Sequence, residues 1–316
     1  MNKILILGGS GFVGRALCET LVQDQGGGGA RLLVPTRRLA HAQTVQLLPL
    51  VDVLQADVHD DVVLDRLLAG CDAVVNLIAI LHGSAASFEA VHVRLPQRLA
   101  AACARTGVRR LIHVSALGVA IDAPSMYLRS KARGEAVLQA AGLDLTLLRP
   151  SVIFGAQDSF LNLFASLQSI APVLPLAGAE ARFQPVWVGD VAEAIARCLQ
   201  RPQTIGQTIE CAGPDVMTLA DLVRLAGRLS GHQRPVLPLP AALASLQARV
   251  MEWLPGEPLM SRDNLDSMKV PNIASGQLPG LASLGIAPSS VAAIAPDYLA
   301  PGQNCARLNA WRARHR

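Results

Sequence analysis

Lys3-Ile4-Leu5-Ile6-Leu7-Gly8-Gly9-Ser10-Gly11-Phe12-Val13-Gly14 decides the fold. Ile4 to Leu7 form a short, wholly apolar run, as expected of a strand buried on both faces. A GxxGxxG run follows at once, and Val13–Asp24 continues with helical spacing. Glycines at that junction permit a tight turn and let backbone amides approach a pyrophosphate, with the helix N-terminus adding a favourable field. The strand, turn and helix in immediate succession supply the context that a bare glycine triplet lacks. A dinucleotide is expected here, held by Gly8, Ser10, Gly11, Phe12, Val13 and Gly14.

Further along, short apolar runs alternate with longer amphipathic stretches. Strands are predicted over Lys3–Leu7, Arg31–Val34, Val51–Gln55, Ala73–Leu77, Arg110–Ser115 and Leu145–Leu148. Helices are predicted over Val13–Asp24, Asp61–Ala69, Ser87–Thr106 and Met126–Ala141. Such alternation implies βαβ units and a parallel sheet. The fold class is therefore α/β, a Rossmann-type doubly wound parallel sheet with a smaller, mostly helical C-terminal substrate lobe. After Pro150 prolines become frequent, which marks the change of domain. Residues 1–155 are assigned to the dinucleotide domain, with 183–212 returning to it as a strand and a helix capped by Asp190. Residues 156–182 and 213–316 form the lobe and a basic tail. Helices are predicted at Leu219–Leu229 and Ala241–Trp253, and the four glycines from Gly26 to Gly29 read as a flexible loop.

Composition narrows the function. Of 316 residues, 51% are hydrophobic, 16% charged and only 3% aromatic, so the chain builds a large aliphatic core and lacks stacking platforms for single-stranded nucleic acid. The net charge of +4 equals the four arginines of the tail, Arg307, Arg312, Arg314 and Arg316. The remaining body is neutral, which argues against a nucleic-acid partner. Leu308 and Trp311 lie three apart among those arginines, so the tail reads first as a plain solvated terminus, with peripheral contact at the inner face of the cytoplasmic membrane as the alternative. The six cysteines form no CxxC pair and the seven histidines show no ligand spacing. No metal site is expected, and a reduced, cytoplasmic setting is. No apolar stretch reaches 18 residues, and the opening one is too short for a signal peptide.

The end of the second strand bears on the choice of cofactor. A carboxylate there would accept hydrogen bonds from the ribose of NAD(H), whereas arginine would take a 2′-phosphate. The chain has Val34-Pro35-Thr36-Arg37-Arg38. Arg37 and Arg38 favour NADP(H) over NAD(H), the alternative being that both are simply solvated. Asp57, followed by Val58, suits either a hydrogen bond to the adenine or an ordinary turn.

Tyr127 and Lys131 lie four apart at the start of a predicted helix and share one face. An ammonium beside a phenol is expected to depress the tyrosine pKa and fit it for proton exchange with a substrate oxygen. Ser115, at the end of the preceding strand, can donate to the same oxygen. The chain holds two tyrosines and three lysines, so their pairing points to chemistry. Ser115, Tyr127-Leu128-Arg129-Ser130-Lys131 and the glycine turn resemble the short-chain dehydrogenase/reductase superfamily in its extended or atypical branch. Arg149-Pro150-Ser151-Val152-Ile153-Phe154-Gly155 resembles that branch's crossing into the substrate domain. Phe183-Gln184-Pro185-Val186-Trp187-Val188-Gly189-Asp190-Val191-Ala192, with Ser261-Arg262-Asp263-Asn264-Leu265 and Lys269-Val270-Pro271-Asn272, is similar to bacterial relatives of the NAD(P)H-binding accessory subunit of respiratory complex I.

The resemblance implies Ser115, Tyr127 and Lys131 as the catalytic trio. It also implies Val58, Ala79, Tyr127, Lys131, Pro150 and Val152 along the cofactor, with contact at Ala79 made through backbone. Two departures stand out: Leu7 replaces a frequent threonine, and Leu77-Ile78-Ala79-Ile80-Leu81 lacks a glycine common near the nicotinamide ribose. The implied activity is that of an NADP(H)-dependent oxidoreductase, or an epimerase or dehydratase using the same redox step, on a small-molecule substrate; the apolar lobe, rich in leucine and proline, suits one of hydrophobic or quinone-related type. The alternative is a non-catalytic NADPH-binding accessory or regulatory protein of a respiratory membrane complex. Among the histidines, His82 is placed nearest the nicotinamide end and read as an ordinary, satisfied one.

Overall fold

The computed structural model of the protein describes residues 1–24, 29–253 and 260–300. Gly26 to Gly28 of the glycine run, and the basic tail, lie outside the described residues. The chain divides into two compact units. The first comprises Met1–Pro150, Val188–Cys211 and Ser275–Ile286; the second comprises Ser151–Trp187, Ala212–Ala274 and the chain from Ala287.

Seven parallel strands form the first unit's sheet: β1 (Lys3–Leu7), β2 (Arg31–Thr36), β3 (Val51–Gln55), β4 (Ala73–Asn76), β5 (Arg110–Val114), β6 (Asp144–Pro150) and β7 (Thr208–Cys211). Their spatial order is β3-β2-β1-β4-β5-β6-β7. The order reverses between β1 and β4, and the crevice beyond the carboxyl ends of strands at such a reversal is where ligands bind.

Alternation along β1 sends Leu5 and Leu7 to one face. They join a core with Leu64, Leu67 and Leu68 of α2 (Asp61–Leu68) and Leu95 and Leu99 of α3 (Leu95–Thr106). The intervening Ile4 and Ile6 are equally buried. Helix α1 (Phe12–Asp24) packs against α5 (Val188–Gln200), which also contacts β5 and β6. Each side chain so buried contributes roughly 1.5–3 kcal/mol, which explains runs that are apolar at every position.

Two boundaries differ from the sequence reading. Helix α5 begins at Val188, so Asp190 is buried inside its first turn, where a carboxylate is favoured by the helix dipole, and not at the cap position. Segment Ser275–Ile286, expected in the lobe, belongs to the first unit. Glu210 of β7 accepts from the Ser275 amide (2.8 Å) and hydroxyl (3.1 Å), and Arg197 and Arg201 donate to the Leu284 carbonyl. These bonds link residues 65 or more apart in the chain and leave no local periodicity to read.

The second unit has its own core of Phe154, Leu161, Phe164, Leu222, Val223 and Tyr298. The stretches that carry the finer resemblance act there as clasps. Asn272 Oδ1 accepts from the Ser151 hydroxyl (2.6 Å) and the Val152 amide (2.9 Å). Gln184 bonds the Gly213 carbonyl and the Ala274 amide, and Ser261 with Asn264 forms a reciprocal cap on a short helix.

Candidate functional site

The glycine turn closes as its spacing requires. Gly8 has φ +82°, and a Cβ there would stand 3.3 Å from the backbone of Leu77 and Ile78. A Cβ on Gly9 would meet Val34 at 2.8 Å; one on Gly14 would meet the Gly8 carbonyl at 2.4 Å. Only glycine lets β1, α1 and the loop after β4 converge this closely. Arg15 makes the first amide bond of the helix back to Gly11 (2.9 Å), so the amides of Phe12, Val13 and Gly14 precede any intrahelical partner. Together with Ser10 they form a backbone cradle suited to a pyrophosphate, and the residues present fit a dinucleotide.

At the end of β2 the buried Thr36 hydroxyl donates to the Arg38 carbonyl (3.1 Å) and fixes the turn from which Arg37 and Arg38 project, both exposed. Among the described residues neither forms an ion pair, while the nearby Asp52 is bound by Arg31. Asp57 Oδ1 accepts from the His59 amide (3.0 Å), making an aspartate turn, and Val58 beside it is buried.

The loop after β4 is pinned amide by amide. The Leu77 amide bonds the Leu7 carbonyl (2.9 Å), Ile78 bonds Asn76 Oδ1 (3.2 Å), and Ile80 bonds His92 Nε2 (3.1 Å). Ala79, between them, is exposed. Asn76 also pairs with His113 (3.1 Å) beneath the loop. Burial, with the charge of Lys131 nearby, holds His113 neutral, far below its ordinary range.

Ser115 and the pair Tyr127 and Lys131 come to this same end of the sheet. Ser115 follows β5, and its hydroxyl is buried with no hydrogen-bond partner. Lys131, on α4 (Met126–Gln139), is fully buried and donates to the Val114 carbonyl (2.9 Å), the residue before Ser115. Tyr127 packs on a small apolar cluster that includes Ala116 and Leu128. Pro150 ends β6 in the first unit, where its carbonyl accepts from Leu117; Val152 lies in the second unit.

One expectation is overturned here. Burial pushes the Tyr127 phenol up to about 12, so desolvation outweighs any pull from the ammonium. Burial also brings Lys131 down to about 8, partly opposed by Glu135. Glu135 is itself bound by Arg149 (3.0 Å).

Sequence reading missed His92. Its Nε2 accepts from Ile80, so Nδ1 carries the proton and donates to Ser130 Oγ (2.8 Å), which donates to the Tyr127 carbonyl (2.7 Å). The ring also meets Tyr127 edge-on, with centroids 5.5 Å apart. Burial and the Lys131 charge bring its pKa down to about 3, so it works as a neutral connector.

The cause of this placement is local chemistry. The expected helix Ser87–Thr106 is interrupted by a π-helical turn at Ala90–Arg94. Pro96 has no amide to give the His92 carbonyl four residues earlier, and its ring would clash there. That carbonyl turns instead toward Gly134, where a Cβ would stand 2.0 Å from it. Pro96 four residues after a histidine, together with a glycine inside α4, was the signal available. Gly134→Ala is expected to cost about 1–3 kcal/mol, comparable to overpacking a core, read as a lower midpoint in thermal unfolding. An unchanged midpoint would show that the close approach is not needed. His82 is a further correction: its Nδ1 is buried without a partner, so it is not a satisfied histidine.

The sequence pattern of the family described as "NAD dependent epimerase/dehydratase family" matches residues 4–212. Over 290 residues the chain is 31% identical to NADH dehydrogenase [ubiquinone] 1 alpha subcomplex subunit 9 of Rattus norvegicus, covering 90% of this chain and 76% of that one. It is 30% identical to a ceramide reductase of Caulobacter vibrioides over 241 residues, 75% and 73% of the two chains. The structure of UDP-glucuronic acid 4-epimerase from Bacillus cereus, solved with UDP-glucuronic acid and NAD, superposes with TM-score 0.66 at 18% identity over 94% of this chain and 98% of that one, a likeness of fold. With the glycine cradle at the sheet's reversal and Ser115, Tyr127 and Lys131 gathered at the same edge, these similarities agree: the chain belongs to the NAD-dependent epimerase/dehydratase family, the extended short-chain dehydrogenases.

Proposed function

We propose that the protein is an NADP(H)-dependent oxidoreductase that interconverts a hydroxyl and a carbonyl on a hydrophobic, lipid-like or quinone-related small molecule. The observation that carries this reading is the Ser115 hydroxyl, buried and unpartnered one residue from the carbonyl that holds Lys131. A buried donor without a partner costs about 1–3 kcal/mol, and a substrate oxygen would supply the missing bond. A bound nicotinamide supplies or accepts the hydride. Tyr127 moves the proton at the substrate oxygen, Ser115 orients that oxygen, and Lys131, one turn along the same helix and anchored on the Val114 carbonyl, supplies positive charge. His92 and Ser130 keep the helix start and the Ile80 loop in register. The relative named as a ceramide reductase supports a lipid-like substrate.

NADP(H) preference rests on Arg37 and Arg38 with no carboxylate at the end of β2. NADPH should bind roughly ten- to a hundredfold more tightly than NADH, the equivalent of one or two charge-assisted phosphate bonds. Arg37→Glu with Arg38→Glu should remove the difference. Equal affinities in the unaltered protein, by fluorescence titration, would defeat the preference.

The reaction itself is tested by untargeted lipid and metabolite comparison of a deletion strain carrying either the intact gene or Tyr127→Phe. A hydroxyl and carbonyl pair whose ratio returns only with the intact gene is expected. Equal restoration by both would favour the second reading, a non-catalytic NADPH-binding accessory protein. That reading draws on the similarity to a complex I subunit and on the phenol held near 12. Among the described residues no helix is long and apolar enough to cross a membrane, so association with a membrane complex would be peripheral. We place the protein at the cytoplasmic face.

A further inference from the structure

We propose that the outward face of the helix Ala241–Trp253, in the second unit, docks the protein on an anionic lipid surface. The proposal stands apart from the redox reading above. This helix is inverted relative to an ordinary surface helix, which turns its large apolar side chains inward. Its buried positions are the small Ala244 and Ala248. Leu243, Leu246, Val250 and Trp253 point the other way, Leu246 at 55% and Trp253 at 85% exposure. At 3.6 residues per turn these four fall within about 80° of arc, a single stripe. Leu237, also exposed, extends it: Leu237 pairs in register with Pro175, whose carbonyl accepts from Gln247 of the same helix.

Charge decides what covers the stripe. From Phe160 to Gly178 the sequence has no Asp, Glu, Lys or Arg, and from Gly227 to Met251 it has only Arg228, Arg234 and Arg249. Arg249 lies about 40° of arc from Trp253, at the edge of the stripe. Arg234 is tied to the Gln168 carbonyl (3.1 Å), at the end of the helix bearing the exposed Ile170. The helix's one carboxylate, Glu252, is turned to Arg262 (2.9 Å). A face of large aliphatics and an indole, with Arg249 at its edge and the neighbouring Glu252 neutralised by Arg262, complements an anionic bilayer: the apolar groups enter the acyl boundary and the guanidinium meets the phosphates. A second copy would bring the same cations to the same face and be repelled.

The test is co-sedimentation of the full chain with phosphatidylglycerol or phosphatidylcholine vesicles at low salt, without nucleotide. The intact chain should bind the anionic vesicles and be released by salt. Leu246→Glu with Val250→Glu should weaken binding by at least about tenfold, since two apolar anchors are lost and two like charges gained. Both positions are exposed, so unchanged thermal unfolding and NADPH affinity should certify the fold. Arg249→Glu should weaken binding and flatten its salt dependence, and a chain truncated after Gln303 should still bind. The proposal is overturned if the intact chain stays in the supernatant, if the double glutamate variant binds like the intact chain, or if truncation alone abolishes binding. A concentration-dependent dimer that the double variant dissolves would also overturn it, assigning the face to a second copy. NADPH affinity in the same preparations reports on the redox reading separately.

Discussion

Tyr127→Phe lowers turnover by about 10²–10⁴-fold, the range for removing a positioned proton donor, and leaves NADPH affinity nearly unchanged. The ring itself stays, so its packing on the small apolar cluster and its edge contact with His92 survive. Only the hydroxyl is lost, and Tyr127's carbonyl still accepts from Ser130. The variant also has a readout that needs no substrate. The chain's two tyrosines are Tyr127 and Tyr298. Tyr298 is buried against Asp158, to which it donates (3.1 Å), and its phenol is pushed beyond the accessible alkaline range. A phenolate absorbance step near pH 12 therefore reports Tyr127 in the folded protein and disappears in the variant. If the variant turns over normally, Tyr127 is not the proton carrier. If a step well below 10 is seen instead, the lysine and not burial dominates the phenol.

That phenol shows where sequence reading stops. The strand Lys3–Leu7, the glycine turn and the Tyr127–Lys131 pair are legible because each is written as a short contiguous pattern of residue types. Ser115 is legible as the residue at a strand's end. The pKa of Tyr127 is not, because it depends on how completely α4 is covered, a property of the assembled unit. His92 stayed hidden for a similar reason. Pro96 disrupts the helix locally, but the displaced His92 carbonyl finds room only at Gly134, 42 positions along the sequence, and the ring finds Ser130 and Ile80 only once α4 is docked. Segment Ser275–Ile286 is held to the first unit by Glu210, Arg197 and Arg201. None of these differs in the sequence from an ordinary surface charge. In contrast, the stretches of closer family resemblance in the second unit were legible as patterns but not as roles; Asn272, Gln184 and Ser261 turn out to fasten backbone.

Lys131→Met is expected to damage function and to stabilise the fold. The ammonium is buried, its folded pKa near 8 against an ordinary 10.5, so folding disfavours its charge. Between those values the unfolded chain binds a proton that the folded chain has lost, and stability rises with pH across that window. Below 8 the full penalty applies, on the order of 3 kcal/mol for a depression of this size. Methionine fills the space without a charge, at the cost of leaving the buried Val114 carbonyl without its donor, about 1–3 kcal/mol. The net gain, up to about 2 kcal/mol, should raise the unfolding midpoint at pH 7 by up to about 6 °C for a chain of this size. The advantage should shrink steadily toward pH 10, as the intact protein sheds the same penalty. Function moves the opposite way. Without that positive charge in the site, turnover should fall by about 10²-fold or more, and NADPH affinity by about tenfold if the ammonium also holds the nicotinamide ribose. A variant less stable than the intact protein at pH 7 would show that the Val114 bond and the attraction of Glu135 outweigh desolvation. A variant of unchanged turnover would remove Lys131 from the site. Stability spent on a buried ammonium with a single carbonyl partner is the mark of a residue kept for chemistry, and this substitution separates the two.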